Sequence, residues 1–442
     1  MIPARLSLIA HNIATALLAG IWTRKTMLRR LRTALGGRAY ASQRRLVSRI
    51  EAAATGSYPP SHPELVQAIE TAPALGPAAA SLLRSEAPLH MDLRSPRFAP
   101  TSVFRDLDVP RLTTPGDIAH WLQLPIEQLD WFTDERRLHR QTAIPDLQHY
   151  TYAFRKRACG PPRLIEAPKP SLKTMQRHIL EEILDAVPAH TAAHGFVAGR
   201  SCRGGAAVHV GAAVVACFDI ADFFPTTPLG RVHALFRSLG YPHAAARVLT
   251  RLCSTATPES ILGRVPDPHR HTRAALQAYC RPHLPQGAPT SPALANLVAY
   301  RLDARLAGLA ASLGGWYTRY ADDLAFSGDS AFARRTAVLT QAVAAIVADE
   351  GYRLNERKTR IMRSGHRQQI TGIVVNAHPN VPRQSFERLK AILHNCQRNG
   401  LDAENRERHP DFRAHLAGRV GWVEHVNPER GRKLRAMLES IP

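Results

Sequence analysis

A chain of 442 residues is too long for one simple core and points to two or three structural units. Its 45% apolar content excludes general disorder, and a net charge of +22 with a pI near 10.6 argues for a polyanionic partner, nucleic acid ahead of an anionic membrane. The six cysteines, at 159, 202, 217, 253, 280 and 396, form no C-x-x-C pair, and the 21 histidines form no H-E-x-x-H, which argues against a disulfide scaffold or a common zinc site and for a reducing, cytoplasmic setting.

Met1 to Ile50 carries ten Arg and Lys residues and no acid. Leu6 to Trp22 is apolar enough to mimic a leader, but His11, Asn12 and Thr15 interrupt it and arginines follow, so an amphipathic helix is expected rather than an export signal or membrane span. Helical spacing continues over Arg29 to Ile50 with a Gly36-Gly37 break. Pro59-Pro60-Ser61-His62-Pro63 reads as a linker, and Glu64 to Arg84 as Ala-rich helical patches. Residues 1–100 are therefore expected to form a basic, helical, loosely organised extension without catalytic residues.

From Thr114-Pro115-Gly116-Asp117 the pattern tightens into a small helical module that continues through Arg136 to Arg140. Tyr150 to Lys156 and Pro162 to Ala167 read as two strands joined at Cys159-Gly160-Pro161, with Arg155, Lys156, Arg157 and Arg163 along them. Such a basic hairpin suits a triphosphate, because guanidinium offers a rigid fork of donors, and equally suits a solvated sheet edge. Leu172 to Val187 is an apolar-faced helix, and Gly195 and Gly199 flank a turn able to admit a close-lying backbone.

Two acidic clusters follow. Ala212 to Phe218 is a continuous apolar run, expected as a strand buried on both faces, and it ends at Asp219-Ile220-Ala221-Asp222-Phe223-Phe224. Trp316 to Tyr320 and Leu324 to Ser327 read as a hairpin with Asp322 and Asp323 at its turn. Adjacent carboxylates raise each other's pKa unless a cation neutralises them, and a strand-end Asp wants the same partner. Between the clusters, Arg264 to His271 reads as an exposed loop, and Leu284-Pro285-Gln286-Gly287-Ala288-Pro289-Thr290-Ser291-Pro292 opens a helix over Ala293 to Leu309. Its amides suit a phosphate or base pair, although Pro-Gly loops of this kind also merely cap helices. Ala333 to Glu350 is helical, Gln369 to Asn376 is β-rich, and three basic helices are expected over Arg383 to Gln397, Phe412 to His425 and Pro428 to Leu438. Carboxylates at two strand ends suggest one magnesium site, with substrate phosphate and water completing the shell.

The ordered set of Arg163, the helix at 172–187, His194-Gly195-Phe196, Asp219, Leu284-Pro285-Gln286-Gly287, Tyr320-Ala321-Asp322-Asp323 and Lys358 resembles the bacterial retron reverse transcriptases. Ile370-Thr371-Gly372 resembles their Val-Thr-Gly signature. Gly205-Ala206-Ala207-Val208-His209 resembles their Asn-Ala-x-x-His signature, with glycine in place of asparagine. The resemblance implies an α+β right-hand polymerase fold, with fingers, an antiparallel palm and a helical thumb. Its parts would be the extension at 1–100, fingers and palm at 101–380 and the thumb at 381–442.

It further implies that Asp219, Asp322 and Asp323, helped by the Ile220 carbonyl, hold two Mg2+ ions, and that Lys358 protonates the departing pyrophosphate. Lys156 and Arg163 would meet the deoxynucleoside triphosphate, Asp222 would line its pocket, and the Phe224 ring would exclude a ribose 2′-hydroxyl. Gln286 and Gly287 would position nucleotide and template. His209, Thr371, Gly372 and Arg419 would contact RNA. The implied partners are a structured non-coding RNA, its DNA product and a separate effector protein, and no membrane. The implied activity copies part of that RNA into multicopy single-stranded DNA, primed from a guanosine 2′-hydroxyl, in anti-phage defence. A group II intron-like reverse transcriptase is disfavoured by Ile370-Thr371-Gly372 and by the lack of a Cys-rich endonuclease module up to Pro442. A non-catalytic RNA-binding scaffold is disfavoured by its having no need of three carboxylates.

Overall fold

Apolar residues spaced three and four apart through the first seventy positions give the N-terminal segment a core of its own. The computed structural model describes residues 2–18, 23–34, 41–53, 60, 62–71, 96–134, 144–156, 162–264 and 277–441. Gly36-Gly37, Arg136 to Arg140, Cys159-Gly160-Pro161, residues 72–84 of the Ala-rich stretch and residues 265–271 of the proline-containing loop lie outside them. Helices Ile2–Leu18, Arg24–Ala34, Ala41–Ala53 and His62–Glu70 turn Ile9, Ile13, Leu17, Leu31, Ile50 and Ile69 inward. Where a loose extension was expected, four helices pack together; His62 and Pro63, read as linker, open the fourth. Arg29, Arg32, Arg44, Arg45 and Arg49 are exposed, so the positive charge lies on the outer faces of these helices.

These helices belong to the first of two compact units, Met1–Pro188 with Phe224–Val298. In it, β1 (Tyr150–Arg155) and β2 (Arg163–Pro168) form an antiparallel hairpin in the register Tyr150↔Pro168 to Arg155↔Arg163. Strand alternation puts Leu164, Glu166 and Pro168 on the buried side of β2 and leaves Arg163 exposed. The following helix starts with Pro170 in its first turn and runs to Ile179, then widens into a π turn over Leu180–Leu184. The expected helix at 293–309 is two, Thr290–Val298 and Tyr300–Ser312, and the units divide at that break.

The second unit, Ala189–Phe223 with Ala299–Pro442, is built on a four-stranded antiparallel sheet. Its order is β4-β5-β3-β6, with β3 Val214–Asp219, β4 Gly315–Tyr320, β5 Asp323–Gly328 and β6 Arg360–Arg363. All six residues of β3 are buried, as its unbroken apolar run requires of a central strand. Short strands β7 (Gln369–Ile370) and β8 (Ile373–Val374) lead into helices Arg383–Asn399, Phe412–Val426 and Pro428–Glu439. Leu389, Leu393, Leu416, Val420 and Leu434 of these helices share one core with Val215, Cys217, Ala325 and Ile373. No helix among the described residues is long and apolar enough to cross a membrane.

Candidate active site

β3 and β5 pair so that Asp219 stands directly opposite Asp323. The connection from β4 is shorter than expected: Tyr320 already pairs with Asp323, so the turn is Ala321-Asp322 and Asp323 is the first residue of the returning strand. This follows from register, since a two-residue link closes an antiparallel pair and the ladder takes the second Asp. The Ile220 amide donates to the Asp322 carbonyl at 2.9 Å, and the Asn355 amide donates to the Asp219 carbonyl at 2.8 Å. Backbone bonds therefore bring the two acidic segments and the Asn355 turn together.

Lys358 sits on a single helical turn, Glu356–Lys358, and its ammonium donates to Asp219 Oδ2 at 2.6 Å. Asp219 is almost fully covered, and Lys358 is half exposed. Asp323 is open at the end of the sheet, yet the surrounding protein desolvates its carboxyl and pushes its pKa up to about 6. Asp322 and Asp219 add to that rise, whereas Lys358 and Arg360 oppose it. Carboxylate oxygens of this kind are the donors a hard divalent cation takes. Among the described residues, no three His, Cys, Asp or Glu side chains are gathered as a ready metal cage, and Lys358 supplies the cation that Asp219 faces.

Beneath the turn is a buried network that the sequence reading missed. Arg319 Nε and one terminal nitrogen of its guanidinium grip Asp303 at 2.7 and 2.6 Å, and the other donates to the Ala321 carbonyl at 3.1 Å. Tyr317 Oη donates to Asp303 at 2.8 Å, and both members of the ion pair are fully buried. Asp303 raises the Arg319 pKa still further, so the guanidinium stays charged. The signal was an acid standing in the apolar stripe Leu302, Leu306 and Ala310. Gly195 was expected to admit a nucleic-acid backbone. It instead lies against the chain's own turn, where a Cβ would come within 2.7 Å of the Ala321 nitrogen, and Ala321 holds φ of 56°.

Asp222, in a left-handed conformation with φ of 49°, precedes the short helix Phe223–Thr226 that carries Phe224. Phe223 packs beside Tyr352 and beneath Arg319. In the first unit, Arg163 is exposed at the start of β2, and Lys156 is exposed just past the end of β1. The Glu166 amide of β2 donates to the Gln286 carbonyl at 2.9 Å, and Gly287, at φ of 140°, leaves no room for a Cβ against the Glu166 carbonyl. The hairpin and the Gln286–Gly287 loop are thus one assembly.

His209 corrects the expectation of an RNA contact. It is 1% exposed, and its ring nitrogens meet Ser327 Oγ and Thr318 Oγ1, each at 2.7 Å. Burial between strands uses up both polar atoms and pushes its pKa down to about 4, so the ring is a neutral core link. Thr371 and Gly372 are at the β7–β8 turn, both with positive φ. Gly372 and Arg419 line a groove of about 690 Å³ with Gln369, Ser385, His415 and Trp422.

With this geometry in place, comparison with known proteins gives consistent matches. The family model for reverse transcriptase (RNA-dependent DNA polymerase) matches residues 154–386. The chain is 40% identical over 333 residues to the Retron Mx65 reverse transcriptase of Myxococcus xanthus, covering 74% of this chain and 71% of that protein. It is 30% identical over 307 residues to the Retron Ec86 reverse transcriptase of Escherichia coli, covering 68% and 84%.

Proposed function

Because the chain belongs to the retron reverse transcriptases and is an RNA-directed DNA polymerase, we propose that Asp219, Asp322 and Asp323 are its catalytic carboxylates. The observation that carries this reading is the β3–β5 register, which sets Asp219 against Asp323 with the Asp322 turn bonded to Ile220. In this reading the carboxylates, with the Ile220 carbonyl, hold two Mg2+ ions, which would activate the attacking hydroxyl and neutralise the leaving pyrophosphate. Lys358 is poised on Asp219 and protonates the departing pyrophosphate. Lys156 and Arg163 take the triphosphate, Asp222 and Phe224 line the nucleotide and select deoxyribose, and Gln286 and Gly287 position it on the template.

The β4-β5-β3-β6 sheet is read as a palm, the C-terminal helices as a thumb and the basic hairpin as part of the fingers. Thr371, Gly372 and Arg419 are read as contacts to a structured RNA, supported by the polar and aromatic lining of their groove. The reaction would start at a guanosine 2′-hydroxyl and leave single-stranded DNA joined to RNA, in a defence system with a separate effector protein.

Primer extension on an RNA template with magnesium tests the core of this reading. Wild type extends, and Asp322→Asn and Asp323→Asn variants fall to background; equal extension by both removes the carboxylates from the chemistry. Sequencing of nucleic acid that co-purifies with the protein tests the priming, which requires a 2′,5′-branched species and fails if only linear molecules are present.

A further inference from the structure

The Glu166 and His283 side chains are both fully buried in the first unit, where a lone charge would be desolvated at a cost. His283 Nε2 lies 2.7 Å from Glu166 Oε2, and Nδ1 lies 2.7 Å from the Arg281 carbonyl oxygen. The other carboxylate oxygen accepts from Thr257 Oγ1 at 2.7 Å. A carbonyl can only accept, so Nδ1 carries a proton. The 2.7 Å contact between Nε2 and the carboxyl requires a proton as well. The pair therefore holds one proton more than a neutral imidazole beside a carboxylate, whichever atom of the contact carries it.

The residues it joins frame the nucleotide loop. Glu166 is on β2, three residues after Arg163, and its amide donates to Gln286. His283 immediately precedes Leu284-Pro285-Gln286-Gly287, and its backbone is paired in both directions with Thr255, at 2.8 and 3.0 Å. Ser291 Oγ donates to the Pro285 carbonyl at 2.7 Å and closes the far side of the loop.

We infer that His283 and Glu166 are positioning residues whose shared proton locks the Gln286–Gly287 loop onto the strand that carries Arg163. Loss of that proton leaves two lone pairs facing each other at one of the two 2.7 Å contacts, so the side-chain tie is lost and the loop is held to β2 by the Glu166 amide to Gln286 carbonyl bond alone. The groups facing the pair are the Tyr279 ring, at 5.1 Å from His283, and Tyr150 and Tyr152 on β1; burial holds both β1 phenols neutral across the ordinary pH range, and neither competes for the proton. Glu166 holds the His283 pKa above its ordinary value against the opposing effect of burial. The locked state is thus complete below about pH 6.5 and is lost as pH rises through the folded pKa.

The consequence for substrate rests on the reading of Gln286 and Gly287 as nucleotide contacts, and two measurements separate the two claims. Hydrogen exchange of the amides of Leu284, Gln286, Gly287, Ala288 and Thr290 in the full chain reads the lock directly. It is expected to speed up at least about tenfold in His283→Ala and, in wild type, with rising pH beyond the intrinsic exchange trend. Glu166→Gln can donate its amide to a neutral His283 and still accept from Thr257, so it keeps the loop protected and removes the extra pH dependence. Unchanged exchange in His283→Ala, or a Glu166→Gln variant whose pH response matches wild type, overturns the inference. Steady-state kinetics then read KM for the nucleotide, expected to rise about tenfold in His283→Ala at nearly constant kcat. Accelerated exchange with unchanged KM supports the lock and overturns the nucleotide role of the loop.

Discussion

The Lys358 ammonium meets Asp219 at 2.6 Å from a half-exposed position, where the proposed reading makes it the proton donor. Lys358→Ala is expected to lower the single-turnover rate of nucleotide incorporation by about 100-fold while nucleotide affinity changes little; an unchanged rate removes Lys358 from proton transfer. Arg319 and Asp303 behave differently because both are sealed from water. Asp303→Ala strands a buried guanidinium and is expected to destabilise the protein by about 3–5 kcal/mol, read as a lowered urea midpoint. A midpoint within error of wild type would show that the charge finds another partner. His209 is one of several buried histidines, with His233 and His243, whose pKa burial pushes down. Its folded pKa of about 4 lies below the ordinary histidine value of 6.5, so its contribution is complete above pH 6.5 and is lost as pH falls toward 4. Denaturant midpoints are expected to drop across that window, and a His209→Asn variant to drop less.

In the proposed reading the β4–β5 hairpin carries the catalytic turn, and that turn is held from three sides. Arg319 donates to the Ala321 carbonyl, the Ile220 amide donates to Asp322, and Gly195 lies against the Ala321 nitrogen. Gly195→Ala forces a Cβ to within 2.7 Å of a backbone atom that cannot swing aside. The expected outcome is about 100-fold slower extension, because a shift of about 1 Å in a reacting group is enough for that. Circular dichroism and the urea midpoint should show a folded protein, and wild-type activity in this variant would mean that the turn tolerates displacement. Helix and strand boundaries around this hairpin were legible because periodicity is local. The apolar run 212–218, for example, became β3 at Val214–Asp219. The one-residue shift at Asp323 was not legible, since register is fixed by the partner strand rather than by the turn sequence.

For the molecule as a whole, the charge of +22 makes RNA binding a salt-dependent property. A protein that neutralises roughly 6–10 phosphates loses about 10³–10⁵ in affinity between about 50 and 200 mM salt, and filter binding to a structured RNA is expected to follow such a slope. A flat salt response would mean that the basic surface does not carry the affinity. The sequence by itself determined the family resemblance, the acidic strand ends and most elements, because motif order and apolar spacing are written along the chain. It also displayed Asp303 inside a helical apolar stripe and Glu166 on the inward side of β2, but gave no sign of their partners. Only the tertiary structure decided that Asp303 holds Arg319 beneath the turn, that Glu166 holds His283, that Gly195 faces protein instead of nucleic acid, and that His209 is core. These are contacts between residues 16 to 126 positions apart, and buried polar groups take whichever partner the packing brings within hydrogen-bond reach.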